Sequence, residues 1–387
     1  MTFSNNSSKT SVTIAGDSLS YQNKPLLVLV VQAITMFFMI VVSTLANGVI
    51  CHCILKNRSL RTVTNIFILN LATSDFLLSI LCMPFALVSC IVDDWIFGGL
   101  MCSISGLILS TLCIASILTL VLVAIDRYLA IKHPLKYCVY LTNKACVCML
   151  AFVWLVAAIF SLLPALGWGS GYAYIKVESI CRPEFGTPQK DNGFTSFLFA
   201  TCFVIPFAIL AFLYISILWT ARKQFRQVHH APKLNVINVQ PQEQEIVRNI
   251  HRHSNREKTF TSDNTEITSA TNTIRTKRLY NSKNISKRKH KARGFKMLLL
   301  IVAAFIICWS PHFILIFYSS LNRITIPLSV KALTTWLTFL NSSMNPFLYG
   351  FLNGKFRSSI KNFLGDKILC CRWWKTNEDS QVFHINH

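Results

Sequence analysis

The sequence predicts an all-α membrane protein: a seven-transmembrane helix bundle with a short amphipathic eighth helix. Three observations carry that expectation. Of 387 residues, 52% are hydrophobic and 12% aromatic, more than a single soluble core can hide. The apolar residues gather in seven runs, each near the roughly 20 residues that cross ~30 Å of hydrocarbon. Between the runs, basic residues concentrate in alternate connections, as they do in a chain that crosses a bilayer repeatedly.

In order, the runs span approximately 27–54, 65–90, 101–126, 145–167, 194–220, 296–320 and 328–352. Residues 1–25 are polar, and run 1 is too long for a signal-peptide core and lacks a following cleavage site, so it is expected to serve as its own anchor. Run 2 holds Asp75, the only acid in the interior of a run. Run 3 is almost unbroken from Ile104 to Ile125 and ends in Asp126-Arg127-Tyr128. An acid, a base and a phenol at a membrane face are costly unless they are paired or switch something. Pro84, Pro164, Pro206, Pro311 and Pro346 fall within or at the ends of runs, and each frees a backbone carbonyl and bends its helix. Packing can absorb any one of them; five together predict helices that pivot. Run 6 sets an indole just before its break, in Cys308-Trp309-Ser310-Pro311. After run 7, residues 353–364 alternate basic and apolar positions such as Lys355, Phe356, Arg357 and Ile360, the pattern of a helix lying along a membrane. Three regions follow: a tail over 1–26, a seven-helix domain over 27–352, and an amphipathic helix with a tail over 353–387.

Charge orients the bundle. Of 38 Lys and Arg, 31 lie after Asn353, in the connections between runs 1–2, 3–4 and 5–6, at Arg127, and at Lys296 on the inner edge of run 6. Basic residues mark the cytoplasmic side, which places the N-terminus outside a plasma membrane and the C-terminus inside. The net charge of +22 then reads as a topology signal and an attraction to anionic inner-leaflet lipid. It does not point to nucleic acid, because the basic stretches lack aromatic interleaving.

Cysteine usage agrees. Most of the 14 cysteines sit in apolar runs or on the cytoplasmic side, where thiols stay reduced. Cys102 and Cys181 are the two clearly outside, with Cys90 near the boundary, and a Cys102–Cys181 disulfide is expected; the alternative is two free thiols. Asn5 and Asn6 stand in N-x-Ser sequons on the outer tail, where glycosylation is expected. The triplets at Asn57, Asn284 and Asn341 fall inside the cell or the membrane and should stay unmodified.

Around Asp75 the runs offer Asn47, Ser116, Asn341 and Asn345. These hard oxygen donors suit a small cation with bridging water, or alternatively a water cluster alone. Residues 222–295 are polar and basic, with Ser and Thr from Ser254 to Thr273, and read as a disordered connection. Its basic ends, Arg222-Lys223 and Ser286 to Lys291, should meet lipid and a partner protein.

With these motifs in order at matching depths, the chain resembles the rhodopsin-like (class A) G-protein-coupled receptors. It looks like an orphan-like or amine-receptor-like branch that lacks the amine-binding acid. The resemblance rests on Asn47-Gly48, Leu71-Ala72-Thr73-Ser74-Asp75, Asp126-Arg127-Tyr128, Trp154, Pro206 with Tyr214, Cys308-Trp309-Ser310-Pro311 and Asn345-Pro346-Phe347-Leu348-Tyr349. It covers about residues 27–365. It implies that Arg127 pairs with Asp126 at rest and turns toward Tyr214 and Tyr349 on activation, while the inner end of helix 6 swings out and a heterotrimeric G protein inserts. Leu135 would face that G protein. Ile117, Pro206, Phe305, Trp309 and Pro311 would couple the ligand pocket to the inner half. Asp75, Ser116, Asn341 and Asn345 would hold an allosteric sodium ion, with no other cofactor. Cys370 and Cys371 would carry palmitate, and the Ser/Thr cluster would meet receptor kinases and arrestin.

Two departures qualify the resemblance. Eighteen residues before Arg127, where amine receptors carry the ligand-binding acid, stands Leu109, so a conventional aminergic salt bridge is absent. At the inner end of run 6, where many relatives hold an acid that locks Arg127, the chain has Lys289, His290 and Lys291. Like charges repel, so Asp126 alone is expected to restrain Arg127, and basal signalling is expected to be raised.

The positions that face the pocket in the family are Leu109, Leu198, Phe199, Cys202, His312, Phe313, Ile316, Lys331 and Thr335. They are apolar with two basic groups, which favours a lipidic or amphipathic ligand with an acidic end on Lys331, and next a peptide. The alternatives are a Lys331 that snorkels at the end of its run and a His312 that is a satisfied interior histidine. The outer loop 168–193 is a further candidate, as a built-in activator. A transporter or channel is the alternative class, but it calls for several intramembrane polar groups and often repeated halves, and the chain shows one such acid and no repeat. No nucleophile–base or zinc motif points to an enzyme.

Overall fold

A computed structural model describes residues 26–169, 171–183, 192–230, 299–319, 327–352, 356–363 and 365. The sequons at Asn5 and Asn6, most of the 222–295 connection with Lys289, His290 and Lys291, and the cysteines Cys370 and Cys371 lie outside the described residues. So does the side chain of Tyr349.

Seven long helices form a bundle. Helix α1 covers Leu26–Lys56, α2 Val63–Val92, α3 Gly98–Lys132 and α4 Asn143–Leu162. Helix α5 runs through Asn192–Leu198, a π-helical stretch Phe199–Val204, and Ile205–His230. Helix α6 is Leu299–Ser319 and α7 Leu328–Leu352; a short helix α8 over 356–363 follows. Among the described residues, α1 to α6 are each long and apolar enough to cross a membrane. Helix α7 is poorer in apolar residues because Thr334, Thr335, Asn341, Ser342, Ser343 and Asn345 are buried in the bundle. The outer surface is the reverse: Phe38, Leu155, Phe212 and Trp219 are exposed. In water such a girdle would be costly, and it suits hydrocarbon. The protein is a multi-pass membrane protein.

The prolines act at identifiable points. Helix α2 is interrupted at Cys82, whose backbone leaves ideal helical geometry, and resumes with Pro84 in the first turn of its second part. Pro84 has no N–H to give the preceding turn, so the chain restarts there. Helix α4 ends at Leu162 rather than near 167, because Pro164 follows and residues 163–167 close as turns. In α5 the π stretch lies just before the buried Pro206, a looser winding that often marks a functional site. Helix α7 carries Pro346 without a break.

Helix starts are capped in the usual way. The hydroxyl of Thr62 accepts from the Asn65 amide at 3.4 Å and that of Thr142 from the Ala145 amide at 3.2 Å, each satisfying an orphan N–H. Helices α2, α3 and α4 are clamped by one half-buried amide. Asn70 accepts from the Trp154 indole at 2.9 Å and donates to Thr119 at 2.8 Å.

At one end, between α4 and α5, a two-stranded antiparallel hairpin covers the bundle: β1 Tyr172–Ile175 and β2 Ile180–Pro183, with Tyr174 opposite Cys181. The Cys102–Cys181 disulfide, S–S 2.01 Å, ties β2 to α3. Gly106 permits that closeness: a Cβ there would collide with the Tyr172 ring and stand 3.1 Å from the Cys181 carbonyl oxygen. At the opposite end Phe356 of α8 is fully buried against the main core, and Asn57 donates to Ser359 at 3.2 Å.

Candidate functional site

Four linked groups of residues run from the hairpin end of the bundle to the other end. Farthest from the hairpin, at the end of α3, Asp126 is fully buried. Its Oδ2 accepts from Arg127 Nε at 2.8 Å, Arg127 Nη2 at 2.5 Å and Thr64 Oγ1 at 2.8 Å, and its Oδ1 accepts from Tyr137 at 2.7 Å. Arg127 also donates to Thr64. Arg127 is therefore not held by Asp126 alone, because α2 and the one-turn helix after α3 add hydroxyls to the same pair. Proximity to Asp126 and burial push the Tyr137 hydroxyl pKa up. Tyr128 points elsewhere, accepting from Lys132 at 2.8 Å. Leu135 is 93% exposed. Tyr214 is buried in a cluster with Val121, Ala124, Leu210 and Val302, on the α5 side of the same end of α3.

Midway along the bundle lies Asp75, also buried, which accepts from Asn345 Nδ2 at 2.8 Å. Asn47 donates to Ser43 and to the Ser342 carbonyl at 3.1 Å, joining α1 to α7 beside it. Two carbonyl oxygens here, Asn47 Oδ1 and Asn341 Oδ1, are buried with no hydrogen-bond partner among the described residues. Ser116 is buried on the neighbouring helix. A buried carboxylate and partnerless amide oxygens are of the donor type that a hard monovalent cation takes.

Between this level and the hairpin runs a ladder of rings on α5 and α6. Phe207 meets Phe305 at 5.6 Å, Phe305 meets Trp309 at 6.0 Å, and Trp309 meets Phe313 at 5.6 Å. Phe313 contacts Phe203 at 5.1 Å, and Phe199 stacks on Phe317 at 3.9 Å. Ile117 and Phe305 are both buried in the main core. The Trp309 indole N–H is buried with no partner among the described residues. An unpaired buried donor costs ~1–3 kcal/mol.

Above the ladder is a cavity of about 130 Å³. Leu109, Leu198, Phe199, Cys202, His312, Phe313, Ile316 and Thr335 all line it, whereas Lys331 is not among its lining residues. Lys331 sits in the first turn of α7, its amide bonded to Pro327. Arg182, beside the disulfide on β2, lines the cavity instead. Arg182 pairs with Glu178 at 2.5 Å, and the Glu178 carboxylate is buried, with His312 and Thr335 next to it. Burial would raise the Glu178 pKa, but Arg182 outweighs it and holds the group at about 2. Sequence reasoning missed Thr64, Tyr137, Glu178 and Arg182. For Arg182 a signal existed, since it directly follows the cysteine expected to be tied to α3.

Comparison with known proteins follows the same geometry. A family model described as "7 transmembrane receptor (rhodopsin family)" matches residues 46–349. Across 362 residues the chain is 28% identical to the G protein-coupled receptor 161 of Bos taurus, covering 92% of this chain and 64% of that one. It is 27% identical to the alpha-1A adrenergic receptor of Oryzias latipes, over 82% of this chain and 62% of that one. With the neuropeptide FF receptor 2 of Rattus norvegicus the identity is 30%, over 84% and 70%. The chain thus spans less than two thirds of the length of the first two relatives. Squid rhodopsin shares the fold, with a TM-score of 0.68 at 22% identity over 91% of this chain and 89% of that one.

Proposed function

Because the chain belongs to the rhodopsin family of seven-transmembrane receptors, we propose that it sits in the plasma membrane with its N-terminus outside and passes an outer signal to a heterotrimeric G protein. The observation that carries this reading is the buried Asp126 carboxylate, which gathers Arg127, Thr64 and Tyr137 at one end of α3. A charge pair whose carboxylate is buried while its guanidinium reaches the surface is a bistable element: breaking it releases Arg127 where a partner can insert.

The ligand enters the hairpin-end cavity, whose apolar walls favour a lipidic or amphipathic molecule or an apolar peptide end over an amine. Its occupancy shifts Phe313 and Trp309, and the ring ladder carries that shift to Phe305 against Ile117 and Pro206. The bend at Pro311 lets the inner part of α6 swing outward. Arg127 then leaves Asp126 for Tyr214 and Tyr349, and the exposed Leu135 meets the G protein. Receptor kinases and arrestin act on the Ser and Thr between Ser254 and Thr273. A transporter or channel is not favoured, since the family is one of receptors.

Asp75, Ser116, Asn341 and Asn345 would hold a sodium ion, which supplies a positive charge that stiffens the resting bundle. Asn345 donates to Asp75 at 2.8 Å across α7 and α2, and an ion on the same carboxylate would add a second tie that resists their movement. Sodium should raise the thermal unfolding temperature of the purified chain and leave Asp75→Asn unchanged; an equal rise in both would remove the ion from the account.

Cells that express the chain should show ligand-free G-protein dissociation above mock, because Lys291 stands where an acid would restrain Arg127. Lys291→Glu should lower that signal roughly two- to fivefold, the effect of ~0.5–1 kcal/mol for a partly exposed ion pair. A signal at the mock level, or one that Lys291→Glu leaves alone, contradicts the reading. The same panel run with lipid and peptide libraries identifies the ligand.

A further inference from the structure

At the roof of the hairpin-end cavity, a carboxylate of the chain itself occupies the guanidinium fork of a residue that lines the chamber. Arg182 lines the cavity. Its Nε donates to Glu178 Oε2 at 2.8 Å, its Nη2 to Glu178 Oε1 at 2.5 Å, and its Nη1 to the Pro183 carbonyl at 2.9 Å. Glu178 is only 2% exposed. His312 and Thr335, 3.5 Å apart, stand beside the pair and both line the cavity. Most of the remaining lining is apolar or aromatic, with the hydroxyls of Ser110, Thr195 and Thr338 as the exceptions. One corner of an apolar chamber is therefore built for a planar anion, and the hairpin turn supplies the present one.

We propose that the cavity binds a small amphipathic carboxylate, whose carboxyl group takes the Arg182 fork from Glu178 while its apolar part packs against Phe199, Phe313 and Trp309. The proposal rests on the receptor reading above and names the ligand class of that site. A guanidinium fork matches a carboxylate in two parallel hydrogen bonds, which neither an alcohol nor an ammonium reproduces. The exchange replaces one carboxylate by another, so Arg182 is never left buried and unpaired, the arrangement that costs most. Size follows from the chamber, since about 130 Å³ approaches a cavity of ~150 Å³ that takes benzene. A chain of about six carbons or a single ring fits.

Glu178 can leave because it belongs to the four-residue turn between the strands, next to Ser179 with φ 56°. It stays ionised down to about pH 2, so it competes as an anion under all ordinary conditions. Its departure withdraws the hairpin from His312 on α6 and Thr335 on α7. These helices carry Trp309 and Asn345, so ligand exchange at the roof loosens the two elements that the switch moves.

The test uses the purified full-length chain in nanodiscs, titrated with hexanoate, hexanol and hexylamine while intrinsic tryptophan fluorescence and thermal unfolding are read. Hexanoate should bind saturably, with hexanol and hexylamine at least about tenfold weaker, as expected when a charge-assisted bidentate pair is lost. Glu178→Gln weakens the internal competitor and should tighten hexanoate binding roughly tenfold by the same reasoning. Arg182→Met should abolish the preference for hexanoate over hexanol. Equal binding of hexanoate and hexanol, or a Glu178→Gln chain that binds hexanoate no better, would overturn the proposal. If Arg182→Met does not fold, the Glu178→Gln titration decides. GTP turnover by added G protein separates the two readings. Hexanoate binding as expected with no G-protein turnover, either ligand-free or with hexanoate, keeps the site and defeats the receptor reading. Ligand-free turnover with no hexanoate binding does the reverse.

Discussion

One carboxylate, that of Asp126, accepts from three side chains whose positions in the chain are 64, 127 and 137. Only the neighbouring pair was legible in the sequence, because adjacency at the end of an apolar run needs no knowledge of packing. Thr64 and Tyr137 were not, since nothing in their spacing tells which faces of α2 and the next connection turn toward α3. The same limit separates Lys331 from Arg182. A basic residue near the end of a run reads as a pocket anchor, yet the helix turn decides whether it faces the cavity, and for Lys331 it does not. Glu178 allows a direct check of the roof. Its pKa lies at about 2 against an ordinary 4.5, so its ionised form is favoured by folding. A depressed folded-state pKa contributes stability above the unfolded value and loses it as pH falls toward the folded one. The stability gap between the wild type and Glu178→Gln should therefore be flat above pH 4.5 and close between 4.5 and about 2. Thermal unfolding measured across that range checks it; a gap constant down to about pH 3 would contradict the pairing.

At the level of elements, periods and run lengths located the helices closely. The expected 328–352 matches Leu328–Leu352, and the expected 65–90 lies within Val63–Val92. Proline chemistry accounts for two differences, the interruption of α2 at Cys82 and the early end of α4. The hairpin was not anticipated, because four-residue strands carry too little pattern to be read from sequence, and its position depends on the disulfide and on Gly106. That glycine gives the element-scale prediction. Gly106→Ala places a methyl against Tyr172 and the Cys181 carbonyl, and forced overpacking of this kind costs about 1–3 kcal/mol. The variant should unfold at a lower temperature and bind pocket probes less well, with Gly99→Ala, which meets nothing nearby, as the control. Equal unfolding temperatures for the two would show that the hairpin does not rest on that approach.

Seen whole, the molecule places a cavity under the hairpin, a buried acid at mid-bundle and a charge cluster at the far end, with α7 taking part in both of the upper two. The ring ladder from Phe199 to Phe207 and Phe305 supplies continuous contact between the cavity and the inner half. Contact of that kind is a route for coupling, and coupling itself has to be measured. The most direct measurement is GTP turnover by a purified G protein added to the full-length chain in nanodiscs, with no ligand, comparing wild type with Arg127→Ala. The account predicts turnover above the empty-disc level for wild type and a fall to that level for Arg127→Ala, with both chains folded and disulfide-bonded. Turnover that Arg127→Ala leaves unchanged would contradict it.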